Sequence, residues 1–524
     1  MPLKPCPRAI VGGVLIDGTG RPPAKDSVVV LDGDRIVAVG RRGELAVPED
    51  AEVIDAAGRT VLPGLIDAHT HFLRMGVAMI RLVDLSGAAS LAEAMELVGA
   101  RVAETPVGEW VMGRGWDESK WEEGAYITKD DLDPISPDRP VMVTRVCGHL
   151  ITLNSRALEL AGVTRETPDP PGGRIDRGPG GEPTGVLRDA RHLVEKVIPP
   201  VTEEIALEGL RRACERALSL GCTGVHDAGV DAFSVGIYQR AQERGLLKVR
   251  AYLMMAHPLF RAAAELGVRT GFGNEMLRLG SAKLLIDGSL GARTAALFEA
   301  YADDPETKGL LMMPPEELTE RVKAAHIHGL QAAVHAIGDR GIEHALNAVE
   351  EALREAPRKD HRHRVEHCEV LTANQIERLR ELGIVASVQP NFVGEWSGPE
   401  GMYEARLGRR RLRRNNPYRL LLDEGVRVAF GSDCMPFNPL YGIWSAVNHP
   451  IRASRITLEE AVRCYTLDAA YASFEEDLKG SVEPEKLADI TILDGDLTET
   501  PADQIRDVPV YMTIVGGKIL YRRE

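Results

Sequence analysis

The chain has 524 residues, of which 44% are hydrophobic, and a formal net charge of −15. This length exceeds what one ordinary compact core accommodates, so we expect one large domain and one smaller domain. The acidic balance argues against a nucleic-acid partner, whose phosphates require a basic surface. The sequence has neither the run of about 18 apolar residues that a membrane span needs nor a secretory signal pattern. We therefore expect a cytoplasmic protein without a membrane partner.

Short strands rich in Val and Ile, separated by Gly and Asp turns, occur at both ends of the chain. Examples are "AIVGGVLID" near the start and "VYMTIVGGKILYRR" near the end. Neither end holds enough strands for a stable sheet of its own. We therefore predict one small composite β-sandwich domain built from residues 1–60 and 480–524.

Between the two ends, helical sequence alternates with short apolar runs, a pattern typical of an α/β fold. The eight runs are 64–71, 223–229, 249–255, 281–288, 331–338, 363–370, 384–391 and 426–433. Eight βα units indicate a distorted (β/α)₈ TIM barrel, which we place at residues 61–479. A doubly wound open sheet is the alternative. Polar residues at the C-terminal end of nearly every run favour the barrel, where those ends meet at one mouth.

One βα unit is unusually long, because residues 73–215 separate the first run from the second. Such an insertion typically forms a lid or a pocket wall. It holds three of the five tryptophans, Trp110, Trp116 and Trp121. Local core packing and substrate contact are both open for these side chains.

Five residues with metal-binding side chains lie toward the C-terminal ends of these runs, and a sixth, a lysine, lies within the fourth run. They are His69, His71, Lys283, His335, His367 and Asp433. Because residues i and i+2 of a strand face the same side, the HxH pair aims both imidazoles into the barrel mouth. A lysine among apolar residues needs a partner to offset desolvation, and Asp287 is one candidate. Imidazole and carboxylate groups suit zinc and similar divalent ions, so the set predicts a metal centre.

Several motifs, in this order, resemble the amidohydrolase superfamily of metal-dependent hydrolases. They are "LPGLIDAHTH", "SAKLLIDGSLGARTAAL", "HAIGD", "EHCE" and "FGSD". The second motif, the long insertion and the terminal β-domain resemble the branch that contains N-substituted formamide deformylases. The resemblance covers nearly the whole chain. It implies hydrolysis of a C–N bond other than a peptide bond, in an amide, N-formyl or N-acyl group of a small molecule.

The resemblance also implies two divalent metal ions, which we expect to be zinc. His69 and His71 would bind the more buried ion, and Asp433 would lie close to it. His335 and His367 would bind the second ion. These roles are what the family implies for the matching positions of this sequence.

The family further implies that carbon dioxide carbamylates Lys283, which would then bridge both ions as a carboxylate-like group. A metal-bridged hydroxide would attack the substrate carbonyl. Asp433 would act as general base toward the water and then as general acid toward the leaving amine.

Substrate contacts are expected from residues that lie where the family lines its pocket. We predict His149, Arg293 and Trp116 in this role. For Arg293, a surface salt bridge is the alternative. The partner is a small-molecule substrate, and we also expect a homodimer.

Two other functions stay open at this point. A mononuclear zinc deaminase-like hydrolase of the same superfamily would need a proton-shuttling Glu, and Asp339 and Glu343 lie near "HAIGD" without a clear signature. Lys283 would then have no role. A non-catalytic scaffold relative is a remote alternative, since such a protein would be expected to lose metal ligands.

Overall fold

The computed structural model describes residues 7–146, 148–170 and 173–524. The predicted first segment and the predicted insertion each include residues outside these ranges. The strands, in chain order, are β1 Arg8–Leu15, β2 Ala24–Asp32, β3 Arg35–Arg41, β4 Glu52–Asp55, β5 Thr60–Pro63, β6 Leu65–Thr70, β7 Leu82–Asp84, β8 Val111–Trp116, β9 Val141–Arg145, β10 Leu150–Leu153, β11 Arg174–Arg177, β12 Pro183–Arg188, β13 Cys222–Val230, β14 Arg250–Ala256, β15 Phe272–Gly273, β16 Leu277–Leu285, β17 Gln331–Ala336, β18 Arg364–His367, β19 Val385–Val388, β20 Val428–Phe430, β21 Ile490–Leu493, β22 Val510–Val515 and β23 Lys518–Arg522.

The helices follow the same chain order. They are α1 Phe72–Arg81, α2 Leu91–Glu104, α3 Lys129–Leu132, α4 Ser155–Ala161, α5 His192–Glu195, α6 Glu203–Ser219, α7 Ala232–Glu243, α8 Leu259–Glu265, α9 Pro315–Ile327, α10 Asp339–Glu355, α11 Ala373–Glu381, α12 Pro390–Trp396, α13 Met402–Leu412, α14 Tyr418–Asp423, α15 Pro439–Val447, α16 Leu458–Cys464 and α17 Leu467–Ala472. The chain forms two compact units, one of Met1–Leu73 with Leu210–Glu524 and the other of Arg74–Gly209.

The first unit contains a sheet made of strands from both ends of the chain. Its order is β23-β22-β21-β5-β1-β2-β3, with β4 beside β1. The C-terminal strand β21 runs antiparallel to the N-terminal strand β5, with Ile490 opposite Pro63. Ile10, Val29 and Ile514 pack in one buried cluster on this sheet. Apolar residues from both ends of the chain therefore share this core, whereas the alternate residues Ala9, Val11, Val28 and Val30 form a second buried cluster.

The same unit contains the barrel. Its parallel strands follow the order β20-β19-β18-β17-β16-β14-β13-β6, and β15 adds a short antiparallel strand beside β16. Each of the eight predicted runs contains or overlaps one of these parallel strands, so the prediction of a distorted (β/α)₈ barrel is confirmed. The sequence "TANQ" begins α11 with a capping box, in which the Thr372 hydroxyl accepts from the Gln375 amide and the Gln375 side chain accepts from the Thr372 amide.

A hydrogen-bonded seam joins the first and last barrel strands, β6 and β20. The Asp67 carboxylate accepts from the Ser432 hydroxyl at 2.5 Å and from the Ser432 amide at 2.9 Å. The Asp433 amide donates to the His69 carbonyl at 2.8 Å. A side chain at Gly431 would place its Cβ 2.4 Å from the His69 amide nitrogen, so only glycine allows this approach. The seam places the end of β6 directly beside the residues that follow β20.

The second unit is built on a six-stranded sheet of order β11-β12-β10-β9-β8-β7. Trp116 is fully buried in a core cluster of this unit, and its ring stacks on that of Trp121 with centroids 5.9 Å apart. Local packing therefore accounts for both rings, which was one of the two interpretations open from the sequence. In the described residues of both units, no helix is long and apolar enough to cross a bilayer.

Three histidines form a hydrogen-bonded chain at the N-terminal end of the barrel. His326 Nε2 donates to the Ala356 carbonyl, so its Nδ1 accepts from His363 Nε2 at 2.9 Å. His363 Nδ1 accepts from the Ala332 amide, and His361 Nδ1 accepts from the His363 amide. All three rings are thereby fixed as neutral tautomers.

These neutral rings predict a loss of stability in acid. Burial lowers the pKa of His361 from 6.5 to about 4, and it lowers the pKa of His363 well below its usual value. The unfolded chain therefore takes up protons near pH 6.5 that the folded chain refuses, so the stabilisation falls as pH drops from 6.5 toward 4. His361 alone accounts for about 3 kcal/mol of this change. Urea unfolding between pH 8 and pH 5 covers about 2 kcal/mol of this loss, since it grows by about 1.4 kcal/mol per pH unit below 6.5. His361→Gln should have a shallower pH dependence. Parallel profiles for the two proteins would contradict this explanation.

Candidate metal centre

His69 and His71 occupy the mouth end of the first barrel strand. His69 is the penultimate residue of β6, whereas His71 lies just beyond the strand and before α1. Their ring centroids are 6.0 Å apart. His71 Nδ1 donates to the Ala228 carbonyl at 2.9 Å, so its Nε2 carries the lone pair and lies 3.2 Å from Asp433 Oδ1. Two such acceptors at this distance fit a cation bound between them.

His69 is held from behind by a carboxylate. Its Nδ1 donates to Glu366 Oε2 at 2.5 Å, and both side chains are buried. The lone pair of His69 is therefore on Nε2, which points toward Lys283 Nζ at 3.4 Å. Glu366 is not among the six site residues predicted from the sequence.

His335 and His367 come from the ends of β17 and β18, and their ring centroids are 4.3 Å apart. His335 Nε2 donates to the Gly288 carbonyl at 3.0 Å, which leaves the lone pair on Nδ1. His367 Nδ1 pairs with Gln389 Oε1 at 2.7 Å, which leaves the lone pair on Nε2. Each ring thus uses one nitrogen for orientation and keeps the other for a ligand.

Lys283 lies in β16 and is 6% exposed. Burial lowers its pKa to about 8, with Glu366 and Asp433 opposing the shift. Asp287, the partner considered from the sequence, is occupied elsewhere because it accepts from the amides of three other residues. These are Ala296, Ile337 and Gly338, at 2.9 to 3.0 Å. The lysine amine therefore faces the histidines.

Two of the ligand candidates have backbone conformations that L-residues rarely adopt. The φ angle is 72° at His367 and 51° at Asp433. A non-glycine residue in this region costs free energy, and such residues cluster at functional sites. The turn at His367 lets its ring and the preceding Glu366 side chain both contact His69, although neighbouring residues of a regular strand face opposite sides.

The ligand atoms of His69, His367 and Asp433 lie within 4.8 Å of one another, a spacing that could hold a metal ion. Burial lowers the pKa of His69 to about 3 and that of His335 to about 3. Neutral imidazoles are the form that binds metal. The structure thus brings together all six predicted ligand residues at one end of the barrel, and their donor set suits a divalent ion.

The three predicted substrate contacts have other neighbours in the structure. His149 Nδ1 pairs with Asp189 at 2.7 Å on the surface of the second unit. Trp116 is buried inside that unit. Arg293 forms two hydrogen bonds with Asp303, at 3.0 and 3.2 Å, so its charge is already compensated. A role of these residues in substrate binding stays a prediction.

Comparison with known proteins agrees with the metal-binding chemistry of the site. The sequence profile of the Amidohydrolase family matches residues 52–521. The chain belongs to the amidohydrolase family. YtcJ of Bacillus subtilis (strain 168) is 34% identical to it over 496 residues, covering 90% of this chain and 91% of that protein. N-substituted formamide deformylase of Arthrobacter pascens is 30% identical over 520 residues, covering 94% and 95%.

The fold of one solved structure superposes on nearly the full length of this amidohydrolase. An uncharacterised metal-dependent hydrolase from Pyrococcus furiosus superposes with a TM-score of 0.77 and 31% identity, covering 94% of this chain and 99% of that chain. The resemblance read from the motifs is thereby confirmed. The family and these relatives support a hydrolase.

Proposed function

We propose that this amidohydrolase cleaves the C–N bond of a small N-formyl or N-acyl amide with the help of two divalent ions, zinc by the chemistry of the ligands. The carrying observation is that four imidazoles, each oriented through one nitrogen, converge with Lys283 and Asp433 at the barrel mouth. The similarity to an N-substituted formamide deformylase supports the formamide class of substrate.

Six residues would hold the ions. They are His69, His71, Lys283, His335, His367 and Asp433. Lys283 would do so as a carbamate: its neutral amine adds to the carbon of CO₂, an N–C bond forms, and one proton leaves to solvent. The product is an anionic carboxylate-like group, which extends from an amine that already lies 3.4 Å from His69 Nε2. Carbamylation also removes the cost of a buried ammonium.

Bound ions of this kind polarise the scissile carbonyl and lower the pKa of water. Asp433 takes a proton from the attacking water as its oxygen bonds to the carbonyl carbon. Asp433 then gives that proton to the nitrogen as the C–N bond breaks, so the products are an amine and a carboxylic acid. His71 Nε2 lies 3.2 Å from Asp433 Oδ1, so both atoms would be available to the same ion.

A one-ion hydrolase is the second candidate, because the three atoms within 4.8 Å of one another would suffice for a single ion. Neither acid near "HAIGD" supplies its proton shuttle. Asp339 accepts from the Phe298 amide and pairs with Arg414, and Glu343 pairs with Arg378. The number of ions per chain, measured by elemental analysis, separates the two candidates.

The decisive assay is a hydrolysis screen of N-alkyl and N-aryl formamides beside the matching acetamides, on protein of known metal content. We expect metal-dependent release of amine, with formamides cleaved faster. Protein stripped with a chelator should be inactive until a divalent ion is restored. Metal-loaded protein that cleaves esters but none of these amides would refute the proposed C–N specificity.

A further inference from the structure

The four histidines of the centre differ in what holds their second nitrogen. Three are held by neutral groups, namely two backbone carbonyls and the Gln389 amide. Of the four, only His69 hydrogen-bonds a carboxylate, that of Glu366, at 2.5 Å. The Asp287 carboxylate lies 3.7 Å from His335 Nε2, beyond hydrogen-bond distance. The side chains of His69 and Glu366 are almost completely inaccessible, at 1% and 0% exposure, so solvent does not screen the contact.

The charge of Glu366 is fixed by a buried arginine. Arg364 donates to both carboxylate oxygens, at 2.7 and 3.0 Å, and is itself 0% exposed. Nη2 also lies 2.7 Å from the Ala68 carbonyl and 2.9 Å from the Ser387 hydroxyl, and Nη1 lies 2.9 Å from His226 Nδ1. These groups come from strands on different sides of the barrel, so the ion pair cannot turn away from His69.

A carboxylate that accepts the distal N–H of a metal-bound imidazole makes that ring a stronger donor, because positive charge from the ion is delocalised toward the anion. A neutral carbonyl increases the electron donation of the ring to the ion less than a carboxylate does. Removing such an outer partner typically weakens metal binding by about 10–100-fold.

We infer that Glu366 is a positioning residue that makes the ion on His69 the more tightly bound of two, so that this ion binds first and leaves last. This inference rests on the proposed function, since it requires a centre of two ions. The inference adds the order in which the two ions bind and assigns that order to Glu366.

Stepwise chelation followed by elemental analysis tests the inference on the full chain. Wild-type protein should lose its ions in two separate steps. In Glu366→Gln, which keeps the shape and removes the charge, the tighter ion should bind about 10–100-fold more weakly while the weaker ion changes little. The two steps should then merge. Unchanged separate steps in Glu366→Gln would overturn the inference.

Glu475→Gln is the matched control, because Glu475 is also a buried carboxylate, paired with Arg278 at 3.2 Å and Lys479 at 2.8 Å, but lies outside the centre. It should keep the wild-type steps, and an equal loss of affinity in this control would overturn the inference. If Glu366→Gln does not fold, Glu366→Asp keeps the charge but withdraws it by one methylene, and the same weakening of the tighter ion is expected.

A wild-type protein that holds one ion per chain would refute the two-ion function and the loading order together. The affinity of that single ion in Glu366→Gln would still report whether Glu366 strengthens His69. The absorption spectrum of the cobalt-substituted protein gives a readout independent of turnover. A merely structural Glu366 would leave the spectrum of the His69-bound ion unchanged.

Discussion

Replacing Lys283 with alanine is expected to abolish turnover and to strip the centre of metal. The alanine variant cannot form a carbamate, so the four histidines and Asp433 would have to hold the proposed ions without that anion. We expect metal binding at least about 100-fold weaker, the upper end of what loss of an outer partner alone costs. Elemental analysis after gel filtration measures the metal content, and the amide screen measures the activity.

Lys479→Ala provides the comparison for Lys283→Ala. Lys479 is another buried lysine, at 4% exposure, and it pairs with Glu475 outside the centre. That variant should keep its metal even if it unfolds at a lower temperature. Short-chain carboxylic acids should partly restore metal and activity to Lys283→Ala, since they can supply a bridging carboxylate. Two tightly bound ions and full activity in Lys283→Ala would exclude the assignment.

Replacing Asp433 with asparagine should reduce kcat by about 10²–10⁴-fold, the range for loss of general acid–base catalysis. The amide matches the carboxylate in size but cannot carry a proton between water and the leaving amine. Because its oxygen still faces His71, we expect the histidine ligands to retain most of the metal. Steady-state kinetics on metal-quantified protein separates the loss of rate from the loss of ions.

Asp468→Asn serves as the control for Asp433→Asn. Asp468 is a buried carboxylate in α17 that pairs with Arg427 and Arg463 at 2.9 and 3.2 Å. Its loss should lower stability without lowering kcat of the folded protein. An Asp433→Asn enzyme with wild-type kcat would show that another group transfers the proton.

The barrel was predictable from the sequence because its signals are local. Short apolar runs that end in polar residues mark parallel strands whose C-terminal ends meet, and all eight appear in the structure. The same rule places the ligand residues, since a histidine at the C-terminal end of such a run lies at the mouth of the barrel. The rule also holds for a residue just after a strand, because His71 lies one residue beyond β6 and still contacts Asp433.

The groups behind the ligands could not be predicted in the same way. Gln389 lies just beyond β19 and contacts His367 of β18, so its role depends on how these two strands are aligned. Glu366 contacts His69 although its neighbour His367 does so too, which depends on the turn at His367. One signal was present in the sequence. Arg364 and Glu366 are opposite charges two residues apart within the short strand "RVEH", which can be buried only as a pair.

The seam between the first and last barrel strands has a consequence for biosynthesis. Asp67 and Ser432, which close it, are 365 residues apart in the chain. The candidate metal centre straddles that closure, so its six residues cannot all come together before Asp433 has been made. A nascent chain that ends before Asp433 therefore lacks the complete set of ligand residues. We therefore expect the complete set of six residues to bind metal only after β20 has been made and the barrel has closed.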